Sequence, residues 1–204
     1  MAAKSTFTNM VLSLGSICLV CSALLGIANN VTAEPIAQAT LAKINDKISY
    51  VVPSYDNNPS DNVTMVEVDG TEYKVYLASM SDKVVGYAIE VAPTGFGGPI
   101  SMIVGFDAEN GNIYNTAVIS HSETPGLGDK IASNEQGSFR DQFIEMNPAS
   151  NKLSVRKDGG DIDAITAATI SSRAFTVGVS TAYKVYLTLV GSGDADVVSG
   201  ASKK

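Results

Sequence analysis

Cysteine is scarce in this chain of 204 residues, and its only two copies, Cys18 and Cys21, both lie in one apolar segment near the N-terminus. A Cys-x-x-Cys pair can be redox-active or bind a metal, but no further cysteine and no nearby histidine completes a site here. We therefore interpret the pair as small thiols in an apolar helix. The rest of the chain has no cysteine for a disulfide, so its fold depends on a hydrophobic core, which about 170 residues can form.

Positive charge is also in short supply. The chain has 14 lysines and arginines against 21 aspartates and glutamates, a formal net charge of −7. Nucleic-acid binding needs a basic stripe to meet the phosphates, and the sequence has none.

His121, the sole histidine, has no visible partner for catalysis, so we predict a structural role for it. The spacing of Asp158, Asp161 and Asp163 lacks the terminal glutamate of a calcium-binding loop, so we predict no metal site.

Charge is absent altogether from residues 10–28. As a helix this segment is about 28 Å long, close to the thickness of the hydrocarbon core of a bilayer. Lys4 precedes it and Glu34 is the first acid after it, which predicts that residues 1–9 are cytoplasmic and that the rest is exported. Residues 31–33 resemble a signal-peptide cleavage site, which is the alternative. Because the apolar run exceeds a usual signal core, we favour a single-pass anchor in the cytoplasmic (inner) membrane; both interpretations export the domain.

The segment after the anchor, residues 29–48, is predicted to contain a linker and an amphipathic helix. Ala37, Leu41, Ile44 and Ile48 recur at helical spacing. We predict that this helix leads into one globular domain, residues 49–191.

Five segments in the first half of the domain have the alternation and composition of β-strands. They span residues 63–68, 73–77, 84–91, 100–106 and 113–120. Asp69-Gly70 separates the first two and Asn110-Gly111 the last two, and both dipeptides are hairpin signals. Because no helix is predicted between these strands, we expect an α+β fold with a largely antiparallel sheet packed on helices.

The second half of the domain has a different pattern. Residues 139–146 are predicted to form a helix, residues 153–155 a short strand, and residues 170–190 a long helix. On that long helix one face is apolar, and it is formed by Phe175, Val179, Ala182, Tyr186 and Leu189. The tail, residues 192–204, has a low-complexity composition that predicts disorder.

Two polar segments of the domain could bind a ligand. The first, residues 121–130, follows the last strand and combines glycines, hydroxyls and Lys130, so its backbone could approach a phosphate or an electron-rich ring. An ordinary surface turn is the alternative. The second, residues 163–172, opens the long helix with hydroxyls and small residues, a pattern that suits an anion. Here the alternative is ordinary N-capping by Asp163, Thr166 or Thr169.

Together the two segments resemble the FMN-binding domain shared by the G subunit of the Rnf electron-transport complex and the C subunit of the sodium-translocating NADH:quinone oxidoreductase. The attachment pattern in that family is Asp, two variable residues, Ser or Thr, Gly or Ala, then Ala-Thr, and residues 163–169 match it. Residues 123–128 and 95–100 are also similar to family segments. Ala167 and Phe96 stand where Gly and Tyr are common, which could alter flavin packing. The short chain favours the G subunit.

The resemblance implies that Thr169 carries one covalent FMN per chain through a phosphoester bond. It implies that Asp163 serves recognition by the transferase or caps the helix. Thr166 and its neighbours would let the phosphate lie close to the backbone, Leu127 would pack on the flavin ring, and Thr124 would donate a hydrogen bond to it. No catalytic residue is implied beyond the flavin. The full set of implied cofactor-binding residues is Glu123, Thr124, Gly126, Leu127, Gly128, Lys130, Asp163, Thr166, Ala167, Ala168, Thr169 and Ile170.

The function implied is electron relay through FMN in a membrane-bound, ion-translocating oxidoreductase complex, with no independent turnover. The implied partners are integral membrane subunits, including another covalent-FMN subunit and iron–sulfur subunits, and a flavin transferase that uses FAD and Mg²⁺. The alternatives are an anchored, non-redox scaffold domain and a free-standing flavin reductase. Degraded attachment residues would favour the first and haem motifs the second, and the sequence shows neither.

Overall fold

The computed structural model describes residues 6–61 and 63–191. The chain divides into two compact units, Met1–Ala42 and Lys43–Lys204. Lys4 and the tail of residues 192–204, for which we predict a cytoplasmic location and disorder respectively, lie outside the described residues.

The first helix, α1, is Phe7–Val51 and is unbroken. Among the described residues it is the one helix that is long and apolar enough to cross a membrane. The predicted change from anchor to linker after residue 28 is therefore not a change in secondary structure, and even Pro35 lies inside the helix. Of the four residues predicted to share an apolar face, Ile44 and Ile48 are buried, and Ala37 and Leu41 are exposed.

A five-stranded antiparallel sheet with strand order β1-β2-β3-β4-β5 forms the centre of the second unit. Its strands are β1 Val63–Val68, β2 Thr71–Met80, β3 Lys83–Val91, β4 Ser101–Asp107 and β5 Ile113–Ser120. The second long helix, α2, is Thr169–Gly191, and short 3₁₀ helices occur at Pro59–Asp61, Gly128–Ala132, Phe139–Phe143 and Arg156–Asp158. The predicted α+β class with an antiparallel sheet is confirmed.

Two of the turns between strands differ in whether the sequence predicted them. Asp69 and Gly70 both have positive φ, at 53° and 77°, as the right-handed twist of a two-residue hairpin requires. Ser81 and Asp82 adopt the same left-handed region, at 51° and 63°, between β2 and β3. Because Ser81-Asp82 contains no glycine, the sequence has no hairpin signal at this turn.

One face of the sheet packs against α2. The predicted apolar face of α2 is confirmed, because Phe175, Val179, Ala182 and Tyr186 are buried and Leu189 packs against the same core. Beside them, the ring centroids of Phe139 and Phe143 lie 5.4 and 5.2 Å from that of Phe175. This aromatic cluster joins the start of α2 to the segment that follows β5.

The opposite face of the sheet is covered by the last turns of α1. Ile48 and Val51 are fully buried there against β-strand residues such as Ala88 and Ile103. The approach is very close at Gly105 of β4, where an added Cβ would lie 1.6 Å from the Val51 carbonyl oxygen. The sheet is therefore enclosed on both faces, by helices at different ends of the sequence.

Two predicted elements were wrong. Residues 139–146 do not form a continuous helix, because the 3₁₀ helix ends at Phe143 and Glu145 has φ of 59°. The backbone of residues 145–146 instead exchanges hydrogen bonds of 2.8 and 2.9 Å with Ile113 at the start of β5. Residues 153–155 contribute only an isolated bridge between Val155 and Ile162. Tertiary pairing outweighs local propensity in the first segment.

Candidate functional site

The site begins at the N-terminus of α2. Thr169 is the first residue of this helix, and the first N–H···O bond across its start, 3.0 Å long, runs from Ser172 to the Ala168 carbonyl. The N–H groups of Thr169, Ile170 and Ser171 therefore have no acceptor within the helix. These groups and the helix dipole give this end a positive character that attracts an anion.

No side chain caps this helix in the predicted way. Asp163 and Thr166 lie before the helix starts, and the capping position is occupied by Ala168. Ser172 supports the turn from inside the helix, because its hydroxyl donates to the Ala168 carbonyl and accepts from the Ile165 N–H, both at 3.0 Å. Capping by Asp163 or Thr166 was therefore wrong, and the N-terminal N–H groups are left available.

Ala167 is in the left-handed region just before the helix, with φ of 64°. This conformation is unfavourable for a residue with a Cβ atom, whereas glycine adopts it without steric conflict. The strain lies two residues before Thr169, where the chain turns into α2. Such strain is often located at functional sites.

The loop after β5 forms the opposite wall of the site. Its turn is closed by two hydrogen bonds to the Thr124 carbonyl, from the N–H groups of Leu127 at 3.2 Å and Asp129 at 3.3 Å. Gly126 has φ of 76°, which favours glycine at this position. Within this loop the Nδ1 atom of His121 accepts a 3.2 Å hydrogen bond from the Glu123 N–H.

Glu123 links three segments of the site through its buried carboxylate. Oε1 accepts a 3.0 Å hydrogen bond from the Gly97 N–H, and Oε2 accepts a hydrogen bond from the Ser171 hydroxyl. The residue is 5% exposed. The turn after β3, the loop after β5 and the first turn of α2 are thus held together by one residue.

Two glycines allow this close packing. A Cβ at Gly97 would lie 1.9 Å from the Ser122 carbonyl oxygen, and a Cβ at Gly128 would lie 2.6 Å from the Ser171 hydroxyl. Neither distance is compatible with a side chain. The three segments can therefore meet only because these positions have none.

Together these segments line an open cavity of about 370 Å³, a volume within the range of small-molecule sites. Eight of the predicted site residues line it: Glu123, Thr124, Leu127, Gly128, Ala167, Ala168, Thr169 and Ile170. Phe96 and Ser171 also line it; neither is in the predicted set of cofactor-binding residues, although the resemblance had linked Phe96 to flavin packing. The clustered hydroxyls of residues 169–172 could have indicated Ser171, but its bond to Glu123 spans too great a sequence distance to read from a pattern.

The other predicted site residues lie outside this lining. Asp163 is exposed and pairs with Arg156, with 3.0 Å between its Oδ1 and the arginine Nε. Thr166, Gly126 and Lys130 do not line the cavity either. Their predicted roles toward a cofactor remain predictions.

A salt bridge supports α2 beside the site. Arg173 donates to both carboxylate oxygens of Asp158, at 2.7 and 2.8 Å, which ties the 3₁₀ helix Arg156–Asp158 to the first turns of α2. These hydrogen bonds lower the pKa of the Asp158 carboxyl. Because that pKa is depressed, the contribution of the pair is lost only as the pH falls through it, and solvent screening keeps that contribution small.

We expect Glu123→Gln to lower the free energy of unfolding by about 1–3 kcal/mol. The glutamine oxygen can still accept from the Gly97 N–H, but its amide nitrogen can only donate to the Ser171 Oγ, so the buried hydroxyl must reverse its direction and lose its carboxylate acceptor. Urea unfolding of the full chain in detergent measures the change. Glu135→Gln is the matched control, because Glu135 is exposed and should change stability by less than about 0.5 kcal/mol. Equal unfolding midpoints for the two variants would contradict the linking role of Glu123.

The fold and the cavity define a class of protein: an α+β domain in which a helix N-terminus, suited to a phosphate, opens into a partly apolar cavity. Comparison with known families agrees with this description. The family model described as FMN-binding domain matches residues 95–184, a range that contains every residue lining the cavity.

Full-length relatives extend the match beyond that domain. The chain is 36% identical over 188 residues to the G subunit of the ion-translocating oxidoreductase complex of Shewanella amazonensis, covering 87% of this chain and 86% of the relative. It is 39% identical over 161 residues to the protein of the same name from Erwinia tasmaniensis, covering 74% and 76%. The chain belongs to the FMN-binding family of these G subunits.

Among solved structures, the chain is similar to the C subunit of the Na⁺-translocating NADH-quinone reductase from Parabacteroides distasonis. The match covers 79% of this chain and 85% of that chain, with 20% identity and a TM-score of 0.43.

Proposed function

We propose that this chain is an electron-transfer subunit of a membrane-bound, ion-translocating oxidoreductase complex and that it carries one FMN through a phosphoester bond to Thr169. The observation that carries the proposal is the position of Thr169. It is the first residue of α2, it is half-buried, and it lines the cavity that the loop after β5 completes. Membership of the G subunit family supports the same function.

The chemistry of the cavity fits both parts of FMN. The N–H groups at the start of α2 suit the phosphate, and Ala167 and Ala168 put no bulk in its way. The lining also includes the apolar side chains of Phe96, Leu127 and Ile170, which suit an aromatic ring. A phosphate and a flat, largely apolar ring are what FMN presents.

Each residue has a distinct part in this proposal. Thr169 supplies the oxygen of the phosphoester: a flavin transferase moves the FMN moiety of FAD to that oxygen and releases AMP. Leu127 packs on the ring, and Thr124 donates a hydrogen bond to it. Lys130 and Asp163 are exposed outside the cavity lining, Asp163 in its salt bridge with Arg156, and the transferase or a partner subunit contacts them there. FMN supplies the ability to accept electrons singly or in pairs, as a relay between one-electron carriers requires.

The proposed location follows from α1. Residues 10–28 cross the cytoplasmic membrane once, with the N-terminus inside and the domain on the periplasmic or extracellular side. This segment has no charged residue, so ion movement belongs to partner subunits. We propose that those partners are integral membrane subunits, including a second covalent-FMN subunit and iron–sulfur subunits.

The test is to express the full chain with a flavin transferase, separate it on a denaturing gel and record its fluorescence under ultraviolet light. We expect a fluorescent band, and the mass of the peptide containing Thr169 should rise by that of FMN less one water. The same chain expressed without the transferase is the control and should be dark. A dark band from exported protein exposed to active transferase would instead favour the scaffold function.

A further inference from the structure

Phe96 is an exception among the phenylalanines of the domain. Phe106, Phe139, Phe143 and Phe175 are all buried in the core, whereas Phe96 is 68% exposed. It is the most exposed large apolar side chain among the described residues from 43 to 191. Single exposed apolar side chains are common on protein surfaces. Phe96 differs from them because the backbone holds its ring in a fixed position.

The turn that carries Phe96 is fixed on both sides. The Gly95 N–H donates to the Gly98 carbonyl and the Ile100 N–H to the Pro93 carbonyl, each at 2.8 Å. Glu123 then holds the turn against the neighbouring loop through the Gly97 N–H. The backbone therefore presents the ring at a set place rather than on a free loop.

That place is the wall of the candidate cofactor cavity. Phe96 lines the cavity together with Leu127 and Ile170, which are 42% and 51% exposed. Among the described lining residues it is the only aromatic one, and none is tyrosine or tryptophan. Three exposed apolar side chains around one cavity fit a flat apolar group that covers them.

We propose that Phe96 packs against one face of the flavin ring carried on Thr169 and shields that face from water. The inference rests on the proposed function, because it needs a flavin in the cavity. It assigns the exposed ring a ligand contact, and it makes Phe96 a residue that sets how the flavin is held. A partner protein that covers Phe96 in place of the flavin is the competing outcome.

Phe96→Tyr tests the contact by a spectroscopic signal. A phenol ring in contact with an excited flavin gives it an electron and takes it back, which quenches the fluorescence, whereas a benzene ring does not. We expect wild-type protein with attached flavin to be fluorescent when folded, and Phe96→Tyr to be several-fold dimmer. Denaturation should bring the two to equal intensity per flavin, because unfolding breaks the contact.

The matched control is Ile144→Tyr, which places a phenol at an exposed site outside the cavity. Its folded fluorescence should equal that of the wild type. Equal folded fluorescence for Phe96→Tyr, Ile144→Tyr and wild type would overturn the inference and favour the competing partner contact. If Phe96→Tyr carries no flavin, quenching of the flavin fluorescence by iodide in folded Phe96→Ala is the test.

A quenching constant several-fold higher than that of the wild type supports the proposal that Phe96 shields the flavin face. An unchanged quenching constant overturns it.

The two proposals fail in different ways. Absence of attached flavin from the wild-type chain overturns the proposed function and this inference with it. Wild-type flavin on Thr169 with no effect at Phe96 overturns only the contact.

Discussion

Thr169→Ala is expected to leave the protein folded and to remove the flavin that we propose is attached to Thr169, so that the band on a denaturing gel falls to background fluorescence. Alanine has no side-chain oxygen to form the phosphoester, and no neighbouring hydroxyl occupies the same position at the start of α2. Stability should change by less than about 1 kcal/mol, because the substitution is at a half-buried helix start where alanine is well tolerated. The measurements are gel fluorescence and the mass of the intact chain.

Two further variants make this result specific. Thr71→Ala removes an exposed hydroxyl of β2 that lies outside both the attachment pattern and the cavity lining, and it should keep the fluorescent band. Thr169→Ser keeps an oxygen at the attachment position and should retain part of the labelling. A full FMN mass increase in Thr169→Ala would show that the attachment residue is another one.

Gly105→Ala should destabilise the domain by about 3–5 kcal/mol, a large part of the stability of an ordinary domain. The added Cβ would lie 1.6 Å from the Val51 carbonyl oxygen, and 3.0 Å from the Val51 Cβ. Since the contact is with backbone, no side-chain rotation relieves it. The last turn of α1 must move off the sheet and expose Ile48 and Val51, which are now fully buried. The thermal unfolding midpoint of the full chain in detergent measures the loss.

Gly191→Ala is the control for this substitution. Gly191 ends α2 with open space around it, so an added methyl group meets nothing and should leave stability unchanged or slightly raised. An unfolding midpoint for Gly105→Ala equal to that of Gly191→Ala would mean that α1 does not rest on β4 as described.

The sequence was most informative where one local rule determines the structure. Asp69-Gly70 predicted its hairpin because few residue pairs adopt two successive left-handed conformations. The apolar face of α2 followed from helical periodicity, and residues such as Phe175 and Val179 are buried as expected. The strands are confirmed to within a few residues at their ends.

The errors and omissions have physical causes. The local pattern of residues 139–146 is helical, but the backbone of residues 145–146 forms hydrogen bonds with Ile113 instead. A local pattern cannot predict a hydrogen-bond partner that is so distant in sequence.

The candidate site was predicted only in part for the same reason. Its residues come from recognisable segments, but the bond between Glu123 and Ser171 and the place of Phe96 on the cavity wall depend on how three loops meet. Neither the bond nor the position of Phe96 can be predicted from a local sequence pattern.

The order of the strands has a consequence for how the chain folds. Every strand pairs with its sequence neighbour, so the sheet can form by successive short loop closures, which are entropically cheap and fast. The cavity, in contrast, draws its walls from residues 96 to 171 and is complete only when α2 docks on the finished sheet. The chain should therefore acquire its sheet early and this cavity last, and the folding step that creates the cavity is also the one that orders the turn carrying Thr169.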